Sequence, residues 1–207
     1  MKKKEEGLVL EATLETSEVV LDALTTNEVL ANIPIIGTAL NIYKATQAVR
    51  DRAFVIKVER FARPISEAPD SDRQRFREKL QQNPEETKKV GETLFLVLDR
   101  LADVDKPTML GYVFVSYLNG LVSYSDLRFM SQAIDMAYAD DLELFLEYGL
   151  VPEKRFKEGW EQRLAAAGLT ETAVGSNWKD DSRIYYRTTK LGGNLRIAYK
   201  KGKQGNG

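Results

Sequence analysis

The sequence contains neither cysteine nor histidine, and these two absences narrow the chemistry open to the protein. Without cysteine there is no disulfide framework and no thiolate nucleophile. Without histidine there is no Ser-His-Asp triad, and the usual zinc sites lose their main ligands. The sequence also has no Gly-rich loop after a strand, the pattern that cradles nucleotide phosphates. We therefore expect a non-enzymatic protein with no cofactor and no metal site.

Aspartates near two helix ends are the one exception to weigh against that expectation. Asp99, Asp103 and Asp105 form one group, and Asp135, Asp140 and Asp141 form the other. Carboxylates are suitable magnesium ligands. The spacing of these residues matches no nuclease or phosphatase signature, and acidic residues are common at helix starts and on surfaces. The groups are therefore not interpreted as a metal site.

The chain start lacks the pattern of a secretory signal. A charged opening, Met1 to Glu6, leads into an apolar stretch that Glu11 interrupts. The absence of cysteine also fits a reducing compartment. These observations predict a cytoplasmic protein.

Charge is nearly balanced over the whole chain but is unevenly distributed. The net charge is -1; residues 150–207 carry twelve Lys and Arg against six Asp and Glu, and the first 149 residues carry 18 against 25. From Ser182 onward there are seven basic residues and no acidic one. This distribution is typical of a phosphate-binding face or of a solvated tail beside an acidic partner.

Apolar residues at helical spacing predict a helical body over residues 1–149. The clearest start signal is Asn83-Pro84-Glu85-Glu86, in which Asn83 caps, Pro84 suits the first helical position, and Glu86 can return a bond as in a capping box. Lys106-Pro107 opens a helix that is apolar on nearly every side, stops at Gly120, and is predicted to lie at the centre of the body. Another helix, loosely docked, is predicted over Gly7 to Leu24. A further helix runs from Ala45 through Phe61 and is predicted to end before Pro64. Three more helices are predicted to begin at Asp70 or Ser71, at Ser123 and at Asp140.

Val29 to Tyr43 is a run of fifteen residues without a charge. A membrane-spanning helix needs about 20 apolar residues, and Pro34 and Gly37 interrupt this one further. The segment is interpreted first as a buried core helix, with an interfacial or partner-binding element and a membrane-inserting element as alternatives. The residues that would act in either alternative are Ile33, Ile35, Ile36 and Leu40.

The last third of the chain combines a helix with two short strands. Phe156, Trp160 and Leu164 recur on one face of a helix predicted from Pro152 to Gly168, where the glycine ends it. Strands are predicted over Leu169 to Val174 and Arg183 to Thr189, with turn residues between them. The phrases "AAAGL" and "YYRTTKLGGNL" resemble the helix end and the closing phrase of winged-helix domains.

This resemblance implies a small winged-helix-like α+β domain with a β-hairpin over residues 150–207, after a hinge at Gly149 to Pro152. The predicted fold is thus mainly α: a helical bundle body over 1–149, then this basic domain and a flexible tail. One local alternative stays open. Gly192, Gly193 and Asn194 could close a hairpin between residues 183–190 and 195–200, instead of lying in a final helix that opens at Thr189.

A second resemblance covers about residues 30 to 146. The segments "IPIIGTALNIYKA", "DRAF" and "KPTMLGYVFVSYLNGLVSYSDL" are similar to segments of small uncharacterised helical proteins of bacteria and their phages. Some of those proteins lie near phage-defence or abortive-infection genes. The resemblance implies a bacterial or phage origin and a role in defence or counter-defence, and it assigns no residue a function.

The basic residues of the C-terminal third are the candidate binding site. Arg163 would lie nearest any DNA groove, but the carboxylates of Glu158 and Glu161 on the same helix would repel the DNA phosphates. We therefore predict a protein-interaction or regulatory module whose partner is another protein. A DNA-binding regulator of duplex DNA and a membrane-acting effector are the alternatives, and a homo-oligomer stays open. The candidate residues are Arg163, Lys179, Arg183, Arg187, Lys190, Arg196, Lys200 and Lys201.

Overall fold

A computed structural model describes residues 33, 36–37, 49–150, 159–173 and 185–204. The described residues form eight helices and one small antiparallel sheet of two strands near the C-terminus, so the mainly helical fold class is confirmed. In chain order the elements are α1 (Val49–Ser66), α2 (Asp70–Gln82), α3 (Pro84–Arg100), α4 (Lys106–Leu118), α5 (Tyr124–Met136), α6 (Ala139–Tyr148), α7 (Trp160–Ala166), β1 (Thr170–Ala173), β2 (Tyr185–Thr188) and α8 (Lys190–Gln204).

Local capping signals fix the starts of α3 and α5, as predicted. The Asn83 side chain accepts a hydrogen bond from the Glu86 amide at 3.1 Å, and Ser123 Oγ accepts one from the Asp126 amide at 3.1 Å. Among the described residues, the Glu86 carboxylate does not make the predicted return bond to the backbone amide of Asn83. The Glu86 carboxylate instead accepts a hydrogen bond from the Tyr117 hydroxyl at 2.6 Å. A tertiary contact with α4 thus takes the place of a local one.

The predicted end of α1 before Pro64 is wrong, because the helix continues to Ser66. Proline removes one helical hydrogen bond, but its ring packs here against α4. A Cβ atom added at Gly111 of α4 would come within 2.4 Å of the Phe61 carbonyl oxygen and 3.0 Å of Pro64 Cγ. The close contact between α1 and α4 therefore compensates for the lost bond.

The central position of α4 is confirmed. Its residues are buried almost throughout, and Gly120, with φ at 75°, follows its end. On another side α4 receives α8, where Ser116 Oγ donates a hydrogen bond to the Ala198 carbonyl at 2.6 Å. The apolar residues of this helix therefore face neighbours in nearly every direction, which explains the lack of a polar face in its sequence.

Buried residues from α1 to α8 form one hydrophobic cluster, and it also contains Ile33 and Ile36. These two side chains are 1% and 0% exposed. Ile35, Leu40 and the predicted Gly7 to Leu24 helix lie outside the described residues. Within the part of the chain that the structure describes, no helix is both long and apolar enough to cross a bilayer.

The C-terminal elements follow the predicted order of helix, strand, strand, helix. α7 begins at Trp160 after Gly159, whose φ of 83° excludes a regular helix there; the predicted start at Pro152 lies outside the described residues. Gly168, with φ at 74°, follows the helix end as predicted. β1 and β2 pair in register from Thr170 opposite Thr188 to Ala173 opposite Tyr185, and the residues between the strands are not described.

The hairpin alternative at Gly192 is wrong, and the final helix is confirmed. Thr189 Oγ1 accepts a hydrogen bond from the Gly192 amide at 3.0 Å, which caps the start of α8. A Cβ atom at Gly192 would lie 2.2 Å from the Leu169 carbonyl oxygen. The glycine therefore serves close helix packing rather than a turn.

Candidate partner-binding face

The outer side of α8 presents an exposed row of residues. Leu195, Ala198 and Tyr199 are buried against the body. The opposite side carries four exposed residues at helical spacing, i, i+4, i+7 and i+11. We call them the outer stripe: Lys190, Asn194, Ile197 and Lys201.

Ile197 gives the outer stripe an apolar centre. Its side chain is 62% exposed, between a lysine on either end. Lys190 and Lys201 are separated by eleven residues, or about 16 Å along a helix. Neither lysine makes an ion pair with another described residue. The stripe is therefore a combined cationic and apolar surface.

Arg163, the residue predicted to lie nearest a DNA groove, is held by α6. Its Nε and second guanidinium nitrogen contact the two carboxylate oxygens of Asp141 at 2.6 and 2.8 Å. Asp141 is 7% exposed, and the guanidinium also lies 5.9 Å from the Tyr138 ring centre. Bonding to this carboxylate raises the pKa of Arg163. The pair links α7 to the body, so its geometry is typical of a structural contact.

Arg187 and Arg196 are also engaged by neighbours. Arg187 Nε donates to Glu171 at 2.8 Å across the two-stranded sheet. The Arg196 guanidinium lies 5.8 Å from the Phe145 ring centre and fills the space beside Gly149. Both residues lie near the outer stripe in sequence, but each has a packing or pairing role. Lys179 and Arg183 are outside the described residues.

Glu147 of α6 anchors the far end of α8. It accepts a hydrogen bond from the Tyr199 hydroxyl at 2.9 Å and another from Lys203 Nζ. The Lys203 bond is the main reason that the pKa of Glu147 lies below its ordinary value, and Lys200 adds to the same effect. Burial raises the pKa of Tyr199 to about 12. Lys200 thus faces an acidic neighbour, whereas Lys190 and Lys201 face outward.

Several of the aspartates considered for a cation are paired with basic side chains. Asp105 contacts Arg60 at 3.1 Å, and Asp135 contacts Arg100 at 2.9 Å. Asp141 contacts Arg163, as described above. Within the described ranges, no group of three acidic side chains is arranged to hold a metal ion.

Sequence reasoning identified the two lysines of the outer stripe but missed Ile197. The signal was present, because an isoleucine between lysines at helical spacing becomes an exposed apolar residue once the segment is assigned as a helix. The acidic anchors Asp141, Glu147 and Glu171 carried no such signal. They lie 22, 56 and 16 residues from the cations that they bind.

Comparisons with protein-family models, with curated proteins and with solved structures find no match to the chain.

Proposed function

We propose that the protein is a non-enzymatic interaction or regulatory module that binds an acidic protein surface through the outer stripe of α8. The main support for this binding surface is the exposed side chain of Ile197, which lies between two exposed lysines, Lys190 and Lys201. A partner helix with acidic and apolar residues side by side would satisfy both features, because cations steer the encounter and apolar burial holds the complex.

The same proposal includes a bacterial or phage origin and a role in phage defence or counter-defence. Its support is the resemblance of the segments over residues 30 to 146. The proposal also includes a winged-helix-like arrangement of α7, β1 and β2. This part of the proposal is supported by the order of a helix followed by two paired antiparallel strands. Winged helices act as protein-docking pieces as well as DNA readers, so this arrangement is compatible with a protein partner.

A DNA-binding regulator is the second candidate, because residues 185–204 carry six Lys and Arg and no acidic residue. Two contacts favour a protein over DNA. The guanidinium of Arg163 is bonded to Asp141, and that of Arg187 is bonded to Glu171. Each pair places a carboxylate where phosphates would have to approach. The membrane-acting alternative has less support, since Ile33 and Ile36 are buried in the core.

Two fluorescent probes separate the protein and DNA candidates: a glutamate-rich amphipathic peptide and a random-sequence DNA duplex. We expect the full chain to bind the peptide more tightly than the duplex near physiological salt. Ile197→Ser should weaken peptide binding and leave duplex binding unchanged, because phosphates gain nothing from an isoleucine. Lys190→Glu/Lys201→Glu should weaken binding of both probes.

The matched control is Lys88→Glu/Lys89→Glu, which makes the same charge change at exposed positions of α3. It should bind the peptide like the unmodified chain, apart from a small effect of net charge. Tight duplex binding that falls steeply with salt, together with an inert Ile197→Ser variant, would favour the DNA-binding regulator. Peptide binding that the stripe variant leaves unchanged would reject the outer stripe as the site.

A further inference from the structure

We infer that a second copy of this chain docks on the outer stripe of α8 through an acidic face of α6. This inference rests on the proposed function, since it names one partner for that binding surface. The contact joins two different surfaces, one from each copy, so it runs head to tail.

The outer side of α6 is acidic. Asp140 and Glu143 are exposed, and Leu144 beside them is partly buried. These three residues lie at i, i+3 and i+4, opposite the residues that α6 buries in the core. We call them the acidic face. Within the described part of the chain, neither carboxylate makes an ion pair.

The acidic face and the outer stripe lie on helices of opposite charge. α6 carries four Asp and Glu and no basic residue, whereas α8 carries five Lys and Arg and no acidic residue. Two of the four acidic residues are already bonded to Arg163 and Lys203, which leaves Asp140 and Glu143 available to a cation. The outer stripe offers the matching pair of exposed lysines, so the two surfaces are complementary in charge.

One chain cannot join these surfaces internally, because the outer stripe points away from α6. Each residue of α8 that contacts α6 lies two positions after a residue of the outer stripe, and two positions turn a helix by about 200°. The stripe therefore faces outward on the side opposite α6, and only another molecule can bring an acidic face to it. The residues of α8 in contact with α6 are Gly192, Arg196, Tyr199 and Lys203.

The two surfaces also match in the position of their apolar residues. Leu144 placed against Ile197 brings apolar surface to a side chain that is 62% exposed. Asp140 then lies level with Lys201 in antiparallel helices, because each is four residues from the apolar side chain. In parallel helices Asp140 lies about 4.5 Å along the axis from Lys190. Either orientation thus puts a carboxylate beside a lysine.

A head-to-tail contact leaves one acidic face and one outer stripe unused at the two ends of a pair of copies. Assembly can therefore continue into a ring or a longer chain of copies. The contact is small and charged, so we expect weak association that decreases with salt. An external acidic partner that binds the stripe would then compete with the second copy.

Sedimentation equilibrium of the full chain from micromolar to millimolar concentrations tests the contact. At low salt we expect the average mass to rise with concentration past that of two copies, and high salt should return it toward one copy. Asp140→Asn/Glu143→Gln, which keeps the side-chain shapes, should keep the chain monomeric at low salt. Lys190→Glu/Lys201→Glu should have the same effect.

The matched control for the acidic face is Glu85→Gln/Glu92→Gln. It removes two carboxylates from exposed positions of α3, and one of them again lies in the first turn of a helix. This chain should associate like the unmodified one. Circular dichroism of each variant checks that a loss of association is not a loss of folding.

A mixture of the two monomeric variants gives the sharpest test, because each retains the surface that the other lacks. The chain with Asp140→Asn/Glu143→Gln keeps its outer stripe, and the chain with Lys190→Glu/Lys201→Glu keeps its acidic face. Together they should form pairs of one copy each and nothing larger.

Several results would overturn the inference: the mass of one copy at every concentration of the unmodified chain, association that either variant retains in full, a mixture that stays monomeric, or association of the unmodified chain that two copies describe completely.

Peptide binding distinguishes failure of this inference from failure of the proposed function. Where second copies occupy half of the stripes, the apparent affinity for the glutamate-rich peptide should be about twofold lower than in dilute chain. Asp140→Asn/Glu143→Gln should remove that difference. Peptide binding by a chain that sediments as one copy at every concentration would reject the self-association and keep the proposed function. Self-association through these surfaces without peptide binding would keep this inference and reject the external partner.

Discussion

Asp141 is a buried carboxylate that depends on one cation. It is 7% exposed and bonded by Arg163 through both oxygens. We expect Arg163→Met to lower the free energy of unfolding by about 1 to 3 kcal/mol, because a buried carboxylate then lacks its charged donor. Chemical denaturation measures this loss. Asp141→Leu/Arg163→Met should recover part of it, since no charge is left buried.

Arg187→Met is the matched control, because its partner Glu171 lies in an exposed pair, with side chains 70% and 49% exposed. Such pairs contribute about 0 to 1 kcal/mol. Equal losses in the Arg163 and Arg187 variants would show that burial of Asp141 has no energetic weight.

Glu147 makes the docking of α8 sensitive to acid. Its pKa lies below its ordinary value of 4.5, chiefly because Lys203 bonds to the carboxylate. A depressed carboxyl pKa contributes stability that is fully present above the unfolded-state value and is lost as the pH falls through the folded-state value. Unfolding free energies should therefore fall more steeply below about pH 4.5 in the unmodified chain than in Glu147→Gln. Parallel pH profiles for the two chains would contradict this.

At the scale of the element, glycines set how closely α8 approaches α4. A Cβ atom at Gly202 would lie 1.9 Å from the Tyr112 carbonyl oxygen, whereas Gly193 has open space around it. Gly202→Ala should therefore destabilise the protein by about 1 to 3 kcal/mol or more, as overpacking does. Gly193→Ala should stabilise it by about 0.5 to 1 kcal/mol through helix propensity. Thermal unfolding of both variants tests these two predictions. Melting temperatures that shift in the same direction in both variants would contradict the close approach of α8 to α4.

The sequence predicted elements best where the signal was local. The caps at Asn83 and Ser123 and the terminator Gly168 each act within four residues of the helix end that they mark. It failed at Pro64, where contact with a helix about 45 residues away outweighs the loss of one hydrogen bond. For the same reason the sequence did not decide whether Gly192 lies in a turn or in a helix. The role of Gly192 depends on its contact with the carbonyl of Leu169, which no local pattern reveals.

The candidate site was predictable to a similar degree. An excess of cations after Ser182 is visible in the sequence, and so are the lysines at positions 190 and 201. The ion pairs of Arg163 with Asp141 and of Lys203 with Glu147 are not visible in the sequence, because folding brings those partners together from different helices. Which cations stay available to a ligand therefore depends on tertiary structure.

At the scale of the whole molecule, α8 and α4 share one core. Trp160, Leu195 and Tyr199 belong to the same hydrophobic cluster as the residues of α1 to α6. We therefore expect the body and the C-terminal elements to unfold together. In a Trp178→Phe chain, Trp160 fluorescence should report the same denaturation midpoint as far-ultraviolet circular dichroism. Two separate midpoints would instead support independent domains that meet at Gly149.

The packing of α8 on α4 sets an order of events during synthesis. Leu118 ends α4 and Lys190 begins α8, so 71 residues separate the central helix from the helix that covers it. At about 5 to 20 residues per second, the ribosome needs roughly 4 to 14 s to make that stretch. Throughout this interval the α8-facing side of α4 has no native cover, and the nascent chain presents it to chaperones and to other chains.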